Sequence, residues 1–232
     1  MRKGKRSRVS VSDTNTATPA RVEEKKHSSQ LAIVVVAYFA ERTLRHVLEQ
    51  IPPEVVKRAS EIIVLDDAST DKTYDMGMQC KKEWDWKNLT IIHNEKNLGY
   101  GGNQKKGYHM CMDKNYDVVA MLHGDAQYPP SKIPELVASL EANEADMSFG
   151  SRMSGSPLKG GMPIWKFIGN KFLTIYANAT LGMHLSEYHS GFRAYRIDAL
   201  KKIDLDRCSD NFVFDTDIVI EFKKKNLRIA ET

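Results

Sequence analysis

Cysteine is scarce in this 232-residue chain: Cys80, Cys111 and Cys208 are odd in number, scattered, and form no Cys-x-x-Cys pair. That usage argues against a disulfide framework and a zinc site, and for a reducing compartment. The seven histidines form no His-Glu-x-x-His or similar cluster, which argues against a histidine-held metal. Long hydrophobic runs are missing too. The longest, Leu31 to Ala40, is about half of the roughly 20 residues that a membrane-spanning helix needs. No apolar core of signal-peptide type lies in the first 30 residues, so secretion is not expected.

An excess of one charge is also absent once the chain is divided. Residues 1–26 carry eight basic and three acidic side chains, so +5 of the overall +4 sits there and the rest is close to neutral at −1. Nucleic-acid binding by the remainder is therefore not supported. The opening stretch, 1–30, is rich in Ser, Thr and Lys and poor in apolar residues; it reads as a disordered basic tail. It is either a solvated tail or a contact for an anionic membrane surface.

What is present, with 41% hydrophobic residues, is enough for one sizeable α/β domain over residues 31–232. Strands are predicted at Leu31–Ala37, Glu61–Leu65, Leu89–His93, Val118–Leu122 and Asp146–Gly150. Helices are predicted at Glu41–Gln50, from Ser69 or Asp71 toward Trp84, and over Gly102–Lys114 and Ser131–Ala142. The alternation implies a Rossmann-like, mostly parallel sheet with helices on both faces. After a Gly- and Pro-containing loop, helices are predicted at Trp165–Leu181 and at about Asp215–Lys225.

Chemistry-bearing residues gather at strand ends, where open α/β sheets bind ligands. Behind the strand Val118–Leu122 comes His123-Gly124-Asp125-Ala126-Gln127, then Tyr128-Pro129-Pro130. Asp125 and Gln127 offer a carboxylate and an amide oxygen suited to a hard divalent cation; the alternative is a turn before a helix. Asp66 and Asp67 end the second strand. They meet donors such as a nucleobase imide or ribose hydroxyls, or they belong to helix capping with Ser69, Thr70 and Asp71. Gly99, Gly101 and Gly102 open a helix and either cradle a phosphate or make a plain turn. The first strand ends at Ala37-Tyr38, where Tyr38 stacks on a base or simply packs.

In order and spacing these segments resemble family 2 glycosyltransferases of the GT-A fold, and most of all the polyprenyl-phosphate (dolichol-phosphate) sugar transferases. The resemblance spans about Leu31 to Thr232. It rests on Ala37-Tyr38 with Glu41, Asp66 through Asp71, Asn97 with Gly99 and Gly101, and Asp125 through Pro130. It continues in Gly150-Ser151-Arg152 and Ser190-Gly191-Phe192-Arg193. It implies a nucleotide-binding half of about 31–127 and an acceptor half of about 128–232. The nucleotide, UDP- or GDP-linked, falls to Ala37, Tyr38, Glu41, Asp66, Asp67, Gly99 and Lys105. Mg²⁺ or Mn²⁺ falls to Asp125 with Gln127, and the diphosphate and acceptor phosphate to Arg152, Ser190 and Arg193. Asp125 and Arg193 are the implied catalytic residues. The departures are His123 in place of the usual first acid, and Val36, Phe39 and Ala40 in place of Pro, Asn and Glu.

The implied reaction is an inverting, metal-dependent transfer of a sugar to a polyprenyl phosphate at the cytoplasmic face of a membrane. A lipid phosphate is already anionic, so no strong base is required, and the chain lacks both Glu-Asp and Gln-x-x-Arg-Trp. Transfer to a saccharide hydroxyl is the alternative, with Asp215 or Asp217 as base rather than cap. Binding of a nucleotide sugar without turnover is the other. Arg193 either meets the acceptor phosphate in bidentate fashion or pairs with an acid such as Asp198 or Glu187. The chain ends within an expected strand, so either more chain follows or membrane contact rests elsewhere, for example on Met162–Leu181.

Overall fold

The computed structural model describes residue 1 and residues 29–151 and 164–232. The expected basic tail, except its ends, and Arg152 lie outside the described residues. Strand β1 (Leu31–Ala37) is buried at every position. Such an unbroken apolar run is what a parallel strand covered on both faces needs. Side chains alternate along a strand, so β1 feeds two cores. Leu31, Ile33, Val35 and Ala37 pack beneath α1 (Leu44–Glu49), α2 (Pro53–Arg58), α3 (Thr73–Trp84) and α5 (Ile133–Glu141). Ala32, Val34 and Val36 pack on the other face, against α4 (Gly99–Asp113), α7 (Ile197–Leu200) and α8 (Phe214–Lys224). Each fully buried Leu or Ile in these layers stabilises by about 1.5–3 kcal/mol. Helix α6 (Ile164–Leu181) joins the second layer through Ala177 and Leu181.

The remaining strands are β2 (Glu61–Asp66), β3 (Leu89–His93), β4 (Val118–His123), β5 (Met147–Phe149), β6 (Arg193–Arg196) and β7 (Ile229–Glu231). Among the described residues they form one sheet in the order β3-β2-β1-β4-β6-β5-β7. Only β6 runs against its neighbours, antiparallel to both β4 and β5. The fold is thus α/β with a mostly parallel sheet. Successive crossovers go outward from β1 on one side through β2 and β3, and on the other side from β4, so the order reverses between β1 and β4. The register pairs Ala37 with Asp66 and Val36 with His123. The C-terminal ends of β1, β2 and β4 therefore meet at that switch point, where a crevice opens.

Three local features differ from the sequence expectation. The first helix starts at Leu44 rather than Glu41, because the Thr43 and Leu44 N–H groups turn back onto the Ala40 carbonyl. A second short helix follows that the sequence did not announce: Pro53 occupies the first turn of α2, where its missing N–H costs nothing. The segment around Arg193 contributes the strand β6.

Candidate active site

The crevice between β1 and β4 is a cavity of about 370 Å³, walled by Val36, Ala37, Tyr38, Asp67, Asn97, Gly99, Tyr100, Asn103, His123, Gly124, Asp125 and Phe212. That is within the size range of small-ligand sites. Strand β4 supplies the floor. Gly124 donates to the Val36 carbonyl at 2.8 Å, and a Cβ there would lie 3.1 Å from that of Ala37. A side chain at residue 124 would crowd the junction of the two strand ends against Ala37 and Ala40. The chain then turns through Ala126, whose φ of +62° lies in the left-handed region. Asp125 braces the turn by accepting the Gln127 N–H on Oδ1 at 3.0 Å. Its other oxygen has no protein hydrogen bond among the described residues. Asp125 and Gln127 are both exposed, but only Asp125 walls the cavity.

Asp66 and Asp67 have divided roles. Asp66 is fully buried, accepts the Ser69 N–H at 3.3 Å, and pairs with His93 Nδ1 at 2.6 Å. It is a support for the β2 and β3 ends and does not reach the cavity. Asp67 does reach it while holding the Asn97–Gly99 turn. Its Oδ1 accepts Asn94 Nδ2 at 2.9 Å and the Leu98 N–H at 2.8 Å, and its Oδ2 accepts the Gly99 N–H at 3.0 Å. The capping alternative is corrected in detail. Ser69 accepts the Phe39 N–H and so ties the β2 loop to the β1 loop, while Asp71 accepts the Thr73 N–H at the start of α3. Glu41, expected at the nucleotide, accepts the Lys72 N–H at 3.1 Å and does not wall the cavity.

The glycines of α4 do not cradle a phosphate. Gly101 and Gly102 donate to the Asp210 carbonyl at 2.7 and 3.3 Å, so their amides are spent on the Cys208–Val213 loop. A Cβ on Gly101 would collide with the Ser209 carbonyl and lie 2.7 Å from Phe214 Cβ. Glycine is needed here for close packing. Lys105, expected at the nucleotide, clamps the same loop, with Nζ 2.7 Å from Asp210 Oδ1 and 2.9 Å from the Cys208 carbonyl. The loop in turn delivers Phe212, 77% exposed, to the cavity rim with its ring 4.8 Å from Tyr100.

Behind the cavity is a buried polar cluster. The Tyr100 hydroxyl donates to Asp215 Oδ2 at 2.7 Å. Burial and then the Asp215 charge raise the Tyr100 pKa far above the ordinary phenol value, so this proton stays. His123 stacks on Tyr100 at 5.4 Å, and its Nε2 lies 3.2 Å from the Gly191 carbonyl. A carbonyl only accepts, so Nε2 carries the hydrogen. Burial lowers the imidazole pKa despite the opposing pull of Asp215 and Asp125, and the ring is neutral. Asp217 is a loop brace, accepting the Ser209 N–H.

Arg193 and Ser190 require correction. Arg193 is 1% exposed, and its guanidinium donates to the carbonyls of Ser190, Asp215 and Tyr188 at 2.5, 2.7 and 2.8 Å. Its Nε lies 3.9 Å from Asp215 Oδ1. Burial works against the charge, but Asp215 and the surrounding groups raise the pKa above that of an ordinary arginine. Each of its three nitrogens bonds a backbone carbonyl and the side chain is buried, leaving no open face for a phosphate. The expected partner Asp198 instead pairs with Arg196 at 2.9 Å. Ser190 is fully buried and donates to the Gly150 carbonyl at 2.6 Å. Both residues shape the wall behind Tyr100 and His123.

The sequence reading did not single out Tyr100, Asn103 or Phe212. Tyr100 stands between Gly99 and Gly101 and Asn103 directly follows Gly102, which was the available signal. Phe212 had none, since only folding of the 208–213 loop onto α4 brings it to the rim.

Comparison with known proteins places this geometry. The chain is 28% identical over 173 residues to the undecaprenyl-phosphate mannosyltransferase of Micrococcus luteus, covering 74% of this chain and 70% of that protein. It is 23% identical over 209 residues to the UDP-N-acetylglucosamine–dolichyl-phosphate N-acetylglucosaminyltransferase of Methanococcus voltae, covering 86% and 82%. In fold it is similar to the crystal structure of Mycobacterium tuberculosis glucosyl-3-phosphoglycerate synthase in complex with Mn²⁺, UDP and phosphoglyceric acid. That match has a TM-score of 0.67 at 19% identity and covers 89% of this chain and 69% of that one. The fold is therefore GT-A-like. The model of the family described as glycosyl transferase family 2 matches residues 32–204, the stretch that carries every strand end walling the cavity, and the chain is a glycosyltransferase belonging to that family.

Proposed function

We propose that the protein transfers a sugar from a nucleotide sugar, UDP- or GDP-linked, to a polyprenyl (dolichol-type) phosphate, with inversion and with Mg²⁺ or Mn²⁺. The observation that carries this reading is the pairing, in one switch-point cavity, of Asp67 with the open carboxylate oxygen of Asp125. Tyr38, 53% exposed, offers its ring to the base, and Asp67 offers it an acceptor. The names of the two curated relatives support the lipid-phosphate acceptor.

The residues present fit a divalent cation that arrives with its substrate. Among the described residues no group of three or more His, Cys, Asp or Glu forms a cage. Magnesium-type ions commonly use one or two carboxylates and complete their shell with water and phosphate oxygens. Asp125 would hold the cation with Gln127 beside it, and the bound cation would neutralise charge on the departing diphosphate. Arg152, outside the described residues, is the candidate for a further diphosphate contact.

In the transfer, an acceptor phosphate oxygen forms the new bond to the anomeric carbon as the bond to the diphosphate oxygen breaks on the opposite face. No proton has to be removed from an ionised phosphate. The protein's part is to fix the base, hold the diphosphate and exclude water. Contact with a membrane surface is supported by α6, which exposes Phe172, Ile175 and Tyr176. Among the described residues no helix is long and apolar enough to cross a membrane.

A saccharide-hydroxyl acceptor is the second reading. It is favoured by Asp215, whose buried Oδ1 has no hydrogen-bond partner and could take a proton. An acceptor panel separates the two. With one radiolabelled donor, transfer to undecaprenyl phosphate but not to undecaprenol or oligosaccharides supports the lipid-phosphate reading. Transfer only to oligosaccharides would replace it with the second.

A further inference from the structure

We infer that Thr43 is a positioning residue for the cation, and that it acts by fixing the peptide that leads into Asp125. The inference rests on the reading of Asp125 as the metal ligand. Thr43 sits immediately before α1, where a threonine hydroxyl ordinarily accepts an N–H of the helix's first turn. It makes no such bond here. Its hydroxyl instead reaches the Gly124 carbonyl, 81 residues away in the sequence, at 2.5 Å. The Ala40 carbonyl lies 3.4 Å from the same oxygen. A hydroxyl has one proton to donate, and the shorter contact takes it.

The consequence falls on the next residue. The Gly124 N–H is bound to the Val36 carbonyl at 2.8 Å, so with Thr43 both backbone polar groups of Gly124 are held. The peptide unit is planar, so anchoring the Gly124 carbonyl sets the plane from which Asp125 departs. Asp125 is exposed, and the bond its carboxylate accepts comes from Gln127 N–H within the same turn. That bond shapes the turn without tying it to the sheet. Thr43 ties it to a loop that is itself fixed, since the Ala40 N–H donates to Thr73 Oγ1 at 2.8 Å and the Ala40 carbonyl accepts the Thr43 and Leu44 N–H groups. A cation held by one carboxylate, with an amide oxygen beside it, has few protein ligands to absorb a misplaced side chain. Loosening the turn therefore weakens the metal before it weakens the nucleotide.

The test is isothermal titration of UDP and of GDP into wild type, Thr43→Val, Thr43→Ser and Asp125→Asn, each with Mn²⁺ and with a chelator. The quantity read is the factor by which Mn²⁺ tightens the nucleotide. Valine keeps the shape of threonine and loses the hydroxyl, and Thr43→Ala serves as a second variant without it. In both, the factor is expected to fall about fivefold, as for one lost hydrogen bond. Affinity in chelator should stay at the wild-type value, and Thr43→Ser should keep the full Mn²⁺ factor. An unchanged factor in Thr43→Val or Thr43→Ala, whatever the thermal midpoint, would overturn the inference and leave Thr43 a structural anchor of α1. So would failure of serine to restore the factor, or an equal loss of affinity with and without metal. A wild-type factor in Asp125→Asn, or no Mn²⁺ effect on either nucleotide in the wild type, would overturn the metal-ligand reading and the inference with it.

Discussion

Replacing Arg193 by methionine isolates what that buried guanidinium does. Methionine has similar length and is tolerated in irregular core gaps, so shape is roughly kept while the charge and the donors are lost. The carbonyls of Ser190, Asp215 and Tyr188 would lose their partner, and the Asp215 carboxylate would keep only the Tyr100 hydroxyl. Breaking a buried charge pair from one side costs about 3–5 kcal/mol. In a domain of this size each kcal/mol moves the unfolding midpoint by about 2–4 °C, so a fall of about 6–20 °C is expected. Arg193→Lys should lose less, because a single ammonium keeps the charge and reaches fewer of the carbonyls; one orphaned carbonyl costs about 1–3 kcal/mol. Urea unfolding followed by tryptophan fluorescence measures both, with acceptor KM determined on whatever remains folded. Wild-type stability in Arg193→Met together with a many-fold rise in acceptor KM would return Arg193 to the acceptor phosphate.

Gly101→Ala drives a Cβ into the Ser209 carbonyl and Phe214. It should destabilise by about 1–3 kcal/mol and loosen the 208–213 loop, seen as faster amide exchange there; unchanged exchange would deny the close packing a role. Asp125→Asn should remove metal-dependent turnover while leaving the thermal midpoint within about 2 °C, because an exposed turn residue contributes little to packing; turnover near wild type at limiting Mn²⁺ would dismiss it as the ligand. Asp146 is hydrogen-bonded by Arg228, which holds its pKa below the ordinary 3.8 against the effect of burial. A depressed folded-state pKa gives stability that is present above the unfolded value and lost as pH falls through the folded one. The stability gap between wild type and Asp146→Asn should thus be full at neutral pH and close on acidification below about pH 4; a gap independent of pH would contradict this.

The parts of the fold that could be read from the sequence are those with a local cause. Leu31–Ala37 shows its burial on both faces in its composition, and Asp125 follows a strand directly, so its place on the sheet edge followed from order alone. Strand β6 was hidden because Arg193-Ala194-Tyr195-Arg196 carries a charge at each end; its burial depends on carbonyls supplied by Tyr188, Ser190 and Asp215. The same is true of Lys105 and the glycines of α4. Charge and glycine beside a strand end suggest a phosphate, and only the distant loop 208–213 shows that packing uses them. Asp66 and Asp67 are adjacent and chemically identical, but the strand alternation sends one into the protein and the other toward the cavity.

Product stoichiometry tests whether sugar is transferred to a lipid phosphate at the Asp125 cavity. Purified protein would be incubated with a UDP-linked sugar, a short polyprenyl phosphate and Mn²⁺, and nucleoside diphosphate and organic-extractable sugar lipid would be quantified together. Equimolar formation of both, stopped by a chelator and absent in Asp125→Asn, is the predicted result. Nucleoside diphosphate released without any sugar lipid, across UDP- and GDP-linked donors, would contradict it.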